Sequence, residues 1–542
     1  MPPCRGRPRL HRGRLSIPDG DLTTPAELRE AEREIIARRP EHAIEPTLDR
    51  IAELVSLLGD PQRSYPVIHV TGTNGKTSTA RMVETLLRTR GLRTGLFTSP
   101  HLSSIRERIM VDGQPISAGQ FVTSDHALAP SLALVDGHQP VPLSFFEVLT
   151  GMAFAIFADV PVDVAVIEVG LGGTWDSTNV ADGTVAVVTP IALDHTAYLG
   201  DTIEEIAADK AGIIKPGAIA VLAQQPVPAA DALLRRSVME GASVLREGIE
   251  FGVLSRDLAV GGQRLDLRGI RGDYPHILLP LFGGFQASNA AVALAAVEAF
   301  ASGAPLPGQT LDDSAPTEAG RAGAIAGVAS GTDTGDEGVS GQRTEPTAHE
   351  RQPVVPPVRP ASAAPPGWIA PSEPLSQELV QEAFTKVTSP GRLEVVRRSP
   401  LVIVDSAHNP AGMAASMEGL TEAFTFASVI GVLAVSADKD IPGILDQLEP
   451  VVSELVVTRN SSDRSMDPDK LAELAEAVFG PDRVHPAERL DDALELAVRL
   501  ADEASGEEGL TRTAVLVTGS VITAGDARTL LAGPAGEAAA GA

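Results

Sequence analysis

Cysteine is nearly absent from this chain. Its single cysteine, Cys4, lies in the N-terminal stretch, so the chain alone can form no disulfide and hold no thiolate zinc or iron–sulfur cluster, and a reducing, cytoplasmic setting fits best. Aromatic residues make up only 4%, which leaves few rings to stack on a flat ligand. Positive charge is also short: 44 lysines and arginines stand against 71 aspartates and glutamates, a formal net charge of −27. Such a surface repels a nucleic-acid backbone, and no nucleic-acid partner is expected. An anionic substrate would meet the same field, so its site must bring its own lysines, arginines or metal ions. The most apolar stretches, 148–169 and 277–285, are broken by Asp159, Asp163, Glu168 or glycines before reaching about 20 residues, so no membrane span or membrane partner is expected.

What is present is globular. With 542 residues, 43% of them hydrophobic, the chain exceeds what one core organises and should form two or more domains. Met1 to Gly20 is rich in arginine and lacks the apolar core of a secretion signal, so it is expected to be a disordered tail. Pro25 to Arg38 and Pro46 to Leu58 have amphipathic helical spacing. β-Branched runs at Pro66–Val70, Val164–Val169 and Val185–Thr189 alternate with helical stretches, which predicts an α/β domain with a mainly parallel sheet over 21–303. From 304 to 375 the composition turns to Ala, Gly, Pro, Ser and Thr without periodicity, as expected of a disordered insertion. Strand candidates at Leu401–Val404, Ser428–Val435, Leu455–Thr458 and Ala514–Thr518 then alternate with helices at Pro468–Val478 and Leu490–Ala501. They predict a smaller α/β domain over 376–530, followed by a flexible tail at 531–542.

The first strand runs into Thr71-Gly72-Thr73-Asn74-Gly75-Lys76-Thr77-Ser78 and then a helical pattern. Backbone N–H groups, an ammonium and hydroxyls at a helix N-terminus can surround phosphate oxygens. The general phosphate-loop pattern wants a glycine where Val70 stands, so the match is incomplete, and an ordinary strand-to-helix turn is the competing reading.

The wording of this loop resembles the ATP loop of the Mur ligase superfamily. Further segments follow in order: Thr98-Ser-Pro-His-Leu102 with Arg106-Glu-Arg-Ile109, Glu168-Val-Gly-Leu-Gly-Gly173 with Asp176 and Asn179, Leu193-Asp-His195, and Lys210-Ala-Gly-Ile-Ile-Lys-Pro216. Phe282-Gly-Gly-Phe-Gln-Ala-Ser-Asn289, Ser389-Pro-Gly-Arg-Leu-Glu394 and Asp405-Ser-Ala-His-Asn-Pro410 complete the series. Jointly they resemble the folylpolyglutamate synthase/dihydrofolate synthase branch of that superfamily, over about 44–528 without the insertion. The resemblance implies a cytoplasmic ATP-dependent ligase of folate biosynthesis and one-carbon metabolism, a monomer whose partners are dihydropteroate or reduced folates and L-glutamate. Two alternatives remain. A cell-wall Mur ligase usually carries a nucleotide-sugar domain ahead of the ATP loop, and only 75 residues precede Lys76 here. A nucleotide-binding regulator without ligase activity would need none of the acyl-phosphate machinery.

An amide does not form from a carboxylate at neutral pH without activation; ATP phosphorylates the acid and an amine displaces phosphate from the mixed anhydride. The resemblance implies two Mg²⁺ ions, with Ser99, Glu168 and His195 as candidate ligands of one; Thr77 is the candidate for the other by the general phosphate-loop rule. The family often has glycine at that last position. It also implies that Lys210 is carboxylated on nitrogen, converting a cation into a metal ligand; a solvated lysine on a helix is the competing reading. Lys76, Lys210, Asp405 and His408 are the implied catalytic groups. Gly72, Thr73, Asn74, Gly75, Lys76, Thr77, Ser78, Gln286, Asn289, Arg392 and Asp405 are the implied nucleotide contacts. Helix capping by Ser288 or Asn289, and salt bridges or turn chemistry at Arg392, Asp405 and His408, compete with those roles. Phe97, Phe145 and Phe146 are candidates for stacking on a pterin or for ordinary core packing.

Overall fold

The computed structural model describes residues 23–40, 43, 45–302, 374–505 and 513–536. The expected N-terminal tail and all of the expected insertion except Pro374 and Leu375 lie outside the described residues.

The first lobe opens with α1 (Pro25–Ile36), started by a Thr24 capping box, and α2 (Asp49–Leu57). The second helix begins later than the Pro46 expected from its spacing, because Thr47 Oγ1 accepts from the Asp49 amide and turns the chain into the helix there. Next come β1 (Val67–Thr71), α3 (Lys76–Thr89), β2 (Thr94–Phe97), β3 (Ile109–Val111) and β4 (Gln114–Pro115). Helices α4 (Ala118–His138) and α5 (Phe145–Asp159) follow, opened by Ser117 and Ser144 capping boxes. The lobe continues through β5 (Val164–Glu168), β6 (Gly183–Val188), α6 (Thr196–Leu199), α7 (Ile203–Lys210), β7 (Ile219–Leu222), α8 (Val227–Met239) and β8 (Ser243–Arg246).

These eight strands form one sheet in the order β4-β3-β2-β5-β1-β6-β7-β8. Its pairs are parallel from β2 to β8, with the antiparallel β3 and β4 at one edge. Every residue of β1 and β5 is buried, as expected of central parallel strands covered by helices on both faces. Both strands therefore end, at Thr71 and Glu168, side by side on the carboxyl edge of the sheet, where ligand crevices of α/β folds lie.

A three-stranded antiparallel sheet, β9 (Gly252–Ala259), β10 (Gly262–Arg268) and β11 (Asp273–Leu279), leads into α9 (Gly284–Ser302). Gln286 and Asn289 were expected in the run entering a helix at Ala290. The helix instead starts at Gly284, after Gly283 turns the chain at φ +90°, and both residues lie inside its first turns. The next described helix, α10 (Gln377–Thr385), packs against α3 and β11; Leu375, Val380, Phe384 and Val387 join the apolar core of the first lobe. Buried Glu298 on α9 accepts from Tyr274 Oη at 2.7 Å, and the same hydroxyl reaches the Leu375 carbonyl at 3.3 Å. The packing thus supports a boundary between lobes after Val387, later than the expected 376.

The second lobe contains β12 (Glu394–Arg398), β13 (Leu401–Val404), α11 (Pro410–Ala423), β14 (Ser428–Leu433), α12 (Ile441–Leu448), β15 (Glu454–Val457), α13 (Pro468–Phe479), β16 (Val484–Pro486), α14 (Leu490–Ser505), β17 (Thr513–Thr518) and α15 (Val521–Gly536). Its six-stranded sheet runs β12-β13-β17-β14-β15-β16, parallel except for β12. α15 continues to Gly536, past residue 531, where the flexible tail was expected to begin. The loops after β13 and β14 leave the carboxyl edge of this sheet and face the corresponding edge of the first.

Candidate active site

The loop after β1 is shaped by what crowds it. A side chain at Gly72, whose φ is +142°, would run into Thr189, and one at Gly75, at φ +88°, into the Asn289 amide of α9. Glycine is needed at both for steric as well as conformational reasons. Thr73 and Asn74 donate their amides to the Pro190 carbonyl, and Thr73 Oγ1 donates to Ala192 O at 3.1 Å. Lys76 opens α3 and folds back so that Nζ donates to the carbonyls of Gly72 and Thr73 at 3.2 and 3.1 Å. Its ammonium is thus held inside the curve of the loop.

One cavity opens beside this loop, lined by Gly72, Thr73 and Lys76, the 169–172 turn after β5, Asp194, His195, Lys210 and, from the second lobe, His408. The buried Lys210 donates from Nζ to Gly72 O at 2.9 Å, which rules out a solvated lysine. Burial, then the neighbouring Lys76 charge, push its ammonium down to about 7. Lys76 is lowered too, by burial and by the charges of Arg392 and Lys439, against the attraction of Glu168 and Asp194. Lys76 and Lys210 thus line the cavity, and Arg392 and Lys439 of the second lobe lie close enough for their charges to act on Lys76, in a protein whose overall charge is strongly negative, as the composition required of an anion site.

Asp194 is the hub between the lobes. Its Oδ1 accepts from Lys439 Nζ at 2.6 Å and its Oδ2 from Asn409 Nδ2 at 3.1 Å, with His408 Nε2 at 3.5 Å. Burial would raise this carboxyl, but the hydrogen bond and charge of His408 and the charges of His195 and Lys439 hold it well below the usual carboxylate range. Asn409 also exchanges amide hydrogen bonds with Asn74 of the loop, at 3.3 and 3.1 Å. Burial, partly opposed by Asp194, pushes His195 down to about 3. It is a neutral imidazole at physiological pH, the form that binds metal.

A second group lies on the far side of Lys76. Glu168, buried at the end of β5, accepts from Thr77 Oγ1 at 2.8 Å through Oε1 and from the Ser99 amide at 3.3 Å through Oε2. Its pKa is raised by burial, against the charge of Lys76 and these hydrogen bonds. Among the described residues no cluster of three or more His, Cys, Asp or Glu side chains forms a ready cage for a metal. One carboxylate beside the Thr77 hydroxyl nonetheless suits Mg²⁺, which takes few protein oxygens and fills its octahedron with water and phosphate.

The candidates thus fall into distinct places. Gly72, Thr73, Lys76, His195, Lys210 and His408 share the cavity, while Thr77, Ser99 and Glu168 form the adjoining corner. Ser78, expected to offer its hydroxyl to phosphate or metal, is buried and hydrogen-bonds Ser389 Oγ of the second lobe at 2.8 Å. Gln286 Nε2 reaches Ser78 at 3.4 Å, and Asn289 donates to Gln286 rather than capping a helix. Ser288 does not cap either; its hydroxyl goes to Glu247. Asp405, expected at the reacting carboxylate, is buried with both oxygens engaged inside the second lobe, by the Leu393 and Ala407 amides and Ser416 Oγ. It shapes the loops bearing Arg392 and His408 and does not line the cavity. Phe97 and Phe145 are core residues, with the Arg108 guanidinium 4.9 Å from the Phe145 ring centre. Asp194, Asn409 and Ser389 lie inside the recognised segments without an assigned role, and Lys439 lies in none of them. Asp438-Lys439-Asp440 just beyond a predicted strand was the available signal, since such ends gather at the ligand crevice.

Two α/β lobes, a phosphate loop at the edge of one sheet and the loops of the other closing over it define a Mur-type ligase. Residues 147–297 match the Mur ligase middle domain and residues 391–521 the Mur ligase glutamate ligase domain. The chain is 44% identical over 532 residues to the dihydrofolate synthase/folylpolyglutamate synthase of Mycobacterium tuberculosis, covering 94% of this chain and 96% of the relative. It is 31% identical to the folylpolyglutamate synthase of Lacticaseibacillus casei over 74% of this chain and 79% of that one. A solved structure of the M. tuberculosis folylpolyglutamate synthase complexed with ADP and AMPPCP superposes with a TM-score of 0.77 at 44% identity, covering 93% of this chain and 98% of the other. The chain belongs to the dihydrofolate synthase/folylpolyglutamate synthase family of Mur ligases.

Proposed function

We propose that this chain is an ATP-dependent carboxylate–amine ligase that joins L-glutamate to dihydropteroate, to a reduced folate with its glutamate tail, or to both, through an acyl phosphate. The observation that carries the reading is the convergence of Lys76 and Lys210 of the first lobe with His408 of the second on one cavity beside a phosphate loop, with the charges of Arg392 and Lys439 close enough to act on Lys76. A nucleotide triphosphate and an organic acid are both anions, and bringing them into reacting distance requires positive charge from both sides. The near-complete alignment with folate ligases supports the substrate class.

In this reading the loop amides and Lys76 hold the β- and γ-phosphates at the N-terminus of α3. Arg392 and His408 approach from the second lobe, and lobe closure excludes water from the mixed anhydride. The acid's carboxylate oxygen attacks the γ-phosphorus and ADP leaves. The glutamate amine then attacks the acyl carbon, and phosphate departs with the oxygen that came from the acid. Two Mg²⁺ ions would be held by Thr77 on the nucleotide side and by Ser99, Glu168, His195 and Lys210 farther along the phosphate chain; they supply neutralisation of phosphate charge. For Glu168 this means exchanging its bonds to Thr77 and Ser99 for the ion.

Lys210 fits that role as its carbamate. Carboxylation needs the neutral amine, and burial beside Lys76 supplies it near neutral pH. The product replaces cation–cation repulsion with attraction to Lys76 and to the ions. The chain acts as a monomer in this account, closing on itself rather than on a partner. Among the described residues no helix is long and apolar enough to cross a membrane.

Steady-state ADP release by the purified protein checks the reading. Turnover is expected only when ATP, a pteroate-type acid and L-glutamate are all present, with dihydropteroate and tetrahydrofolate tested in parallel. ADP release indifferent to the acid and the amine would overturn it.

A further inference from the structure

The loop that carries Ser99 belongs to the first lobe, yet its far end is seated in the second. Leu102 packs against the second-lobe core formed by Val402, Val404, Ala524 and Ala527. Two glycines make its seat. A side chain at Gly525 of α15 would collide with the Leu102 carbonyl oxygen, and one at Gly391 would come within 3.2 Å of the Leu102 methyl groups. The notch is braced: Ser406 Oγ donates to Gly391 O at 2.7 Å, Glu394 accepts from the Gly391 amide at 2.7 Å, and Arg528 pairs with Glu394 at 3.0 Å. On the first-lobe side, the Glu107 carboxylate accepts from the amides of Leu102, Ser103 and Ser104 at 3.0 to 3.2 Å. The segment is therefore stiff, and displacement at Leu102 passes to Ser99, whose amide meets Glu168.

We propose that Leu102 is a positioning residue whose seat between Gly391 and Gly525 sets the Ser99 loop, so that the Ser99–Glu168 corner is complete only when the second lobe is docked. This rests on the ligase reading for its consequence in turnover, though the seat itself does not. Nothing in the chemistry needs a leucine at 102 or a glycine at 525 of the other lobe. Their shared requirement is close approach.

The test uses the full chain with Leu102→Ala, Leu102→Met and Gly525→Ala. Leu102→Ala empties the seat, and Gly525→Ala pushes the loop out from the opposite lobe. Each is expected to lower kcat by about tenfold or more, as displacements on the order of 1 Å do. The calorimetric Kd for ATP without metal should stay within about twofold, since the phosphate loop is untouched. Amide exchange across 102–104, measured without any ligand, should accelerate in both. Leu102→Met, similar in volume and flexible enough to fill the notch, should keep at least half the turnover. Wild-type kcat in both disrupting variants, or unchanged amide exchange, would overturn the proposal, as would an ATP affinity lost in parallel with kcat. Should Leu102→Ala fail to fold, Gly525→Ala decides. If the parent protein shows no turnover dependent on acid and amine, the ligase reading fails, while the exchange readout still decides the seat.

Discussion

Lys76→Ala is expected to lower the rate of ADP release, at saturating ATP, acid and L-glutamate, by about a thousandfold. Its ammonium is the charge best placed to follow the transferring phosphoryl group: it sits within the loop curve on the carbonyls of Gly72 and Thr73, between the cavity and Glu168. Removing one preorganised donor at a site of developing negative charge costs on the order of 10²–10³ in rate. Here the loss also strips the loop of the contact that fixes its two carbonyls. Lys76→Arg should recover little, because a planar guanidinium cannot fold into the same curve. The melting temperature should change little, since Nζ holds only the local loop. Steady-state kinetics beside a thermal melt measures both. A Lys76→Ala enzyme within tenfold of the parent would remove the phosphate-loop role.

The second large effect is expected at Lys210. Lys210→Ala should cost on the order of a hundredfold, the scale found when a metal's supporting carboxylate is lost, and short carboxylates such as acetate or propionate should restore part of it. The side chain is buried against Gly72 O, so the variant leaves a small polar void that such an anion can enter from the cavity. The pH dependence has a definite sign. With its ammonium lowered to about 7 by burial and by Lys76, the neutral amine that combines with carbon dioxide gains population as pH rises through that value. Carboxylation of the parent protein should accordingly increase from pH 6 to 8. An intact-mass increment of one carbon dioxide under bicarbonate, absent from Lys210→Ala, checks the modification independently of turnover. Full activity of Lys210→Ala without any added carboxylate would contradict it.

Much of the first lobe was legible because its central strands are buried on both faces and read as unbroken β-branched runs. Val67–Thr71, Val164–Glu168 and Gly183–Val188 all sit where the sequence pattern put them. The glycine loop was legible for a different reason: steric demand at Gly72 and Gly75 leaves a residue type that cannot be disguised. The three-stranded sheet was missed because a strand such as Gly252–Ala259 places Ser255, Arg256 and Asp257 in succession, which breaks the alternation that marks a strand. Short β2, β7 and β8 offer four residues each, too few to establish a period. α10 was assigned to the wrong lobe because 71 residues intervene between the described end of α9 and Pro374, and chain proximity is a poor guide across such a gap.

In the site, residues carried by a glycine motif or a strand end were legible as candidates, and residues defined by long-range pairing were not. Asp194 and Lys439 are 245 positions apart and meet at 2.6 Å. Ser78 and Ser389 are 311 apart. No local pattern announces such contacts, because each partner alone is an ordinary turn or helix residue. Asp405 is the opposite case. Its motif was recognised, but the hydrogen-bond demand of three donors within its own lobe keeps its carboxylate buried.

The most direct test of phosphoryl transfer to the acid follows an oxygen atom. Dihydropteroate or tetrahydrofolate carrying oxygen-18 in the reacting carboxylate is incubated with ATP, Mg²⁺, L-glutamate and the protein, and the inorganic phosphate released is analysed by mass spectrometry. One labelled oxygen per phosphate is expected for each amide formed. Phosphate free of the label, with the amide nonetheless made, would contradict the acyl phosphate and the account built on it.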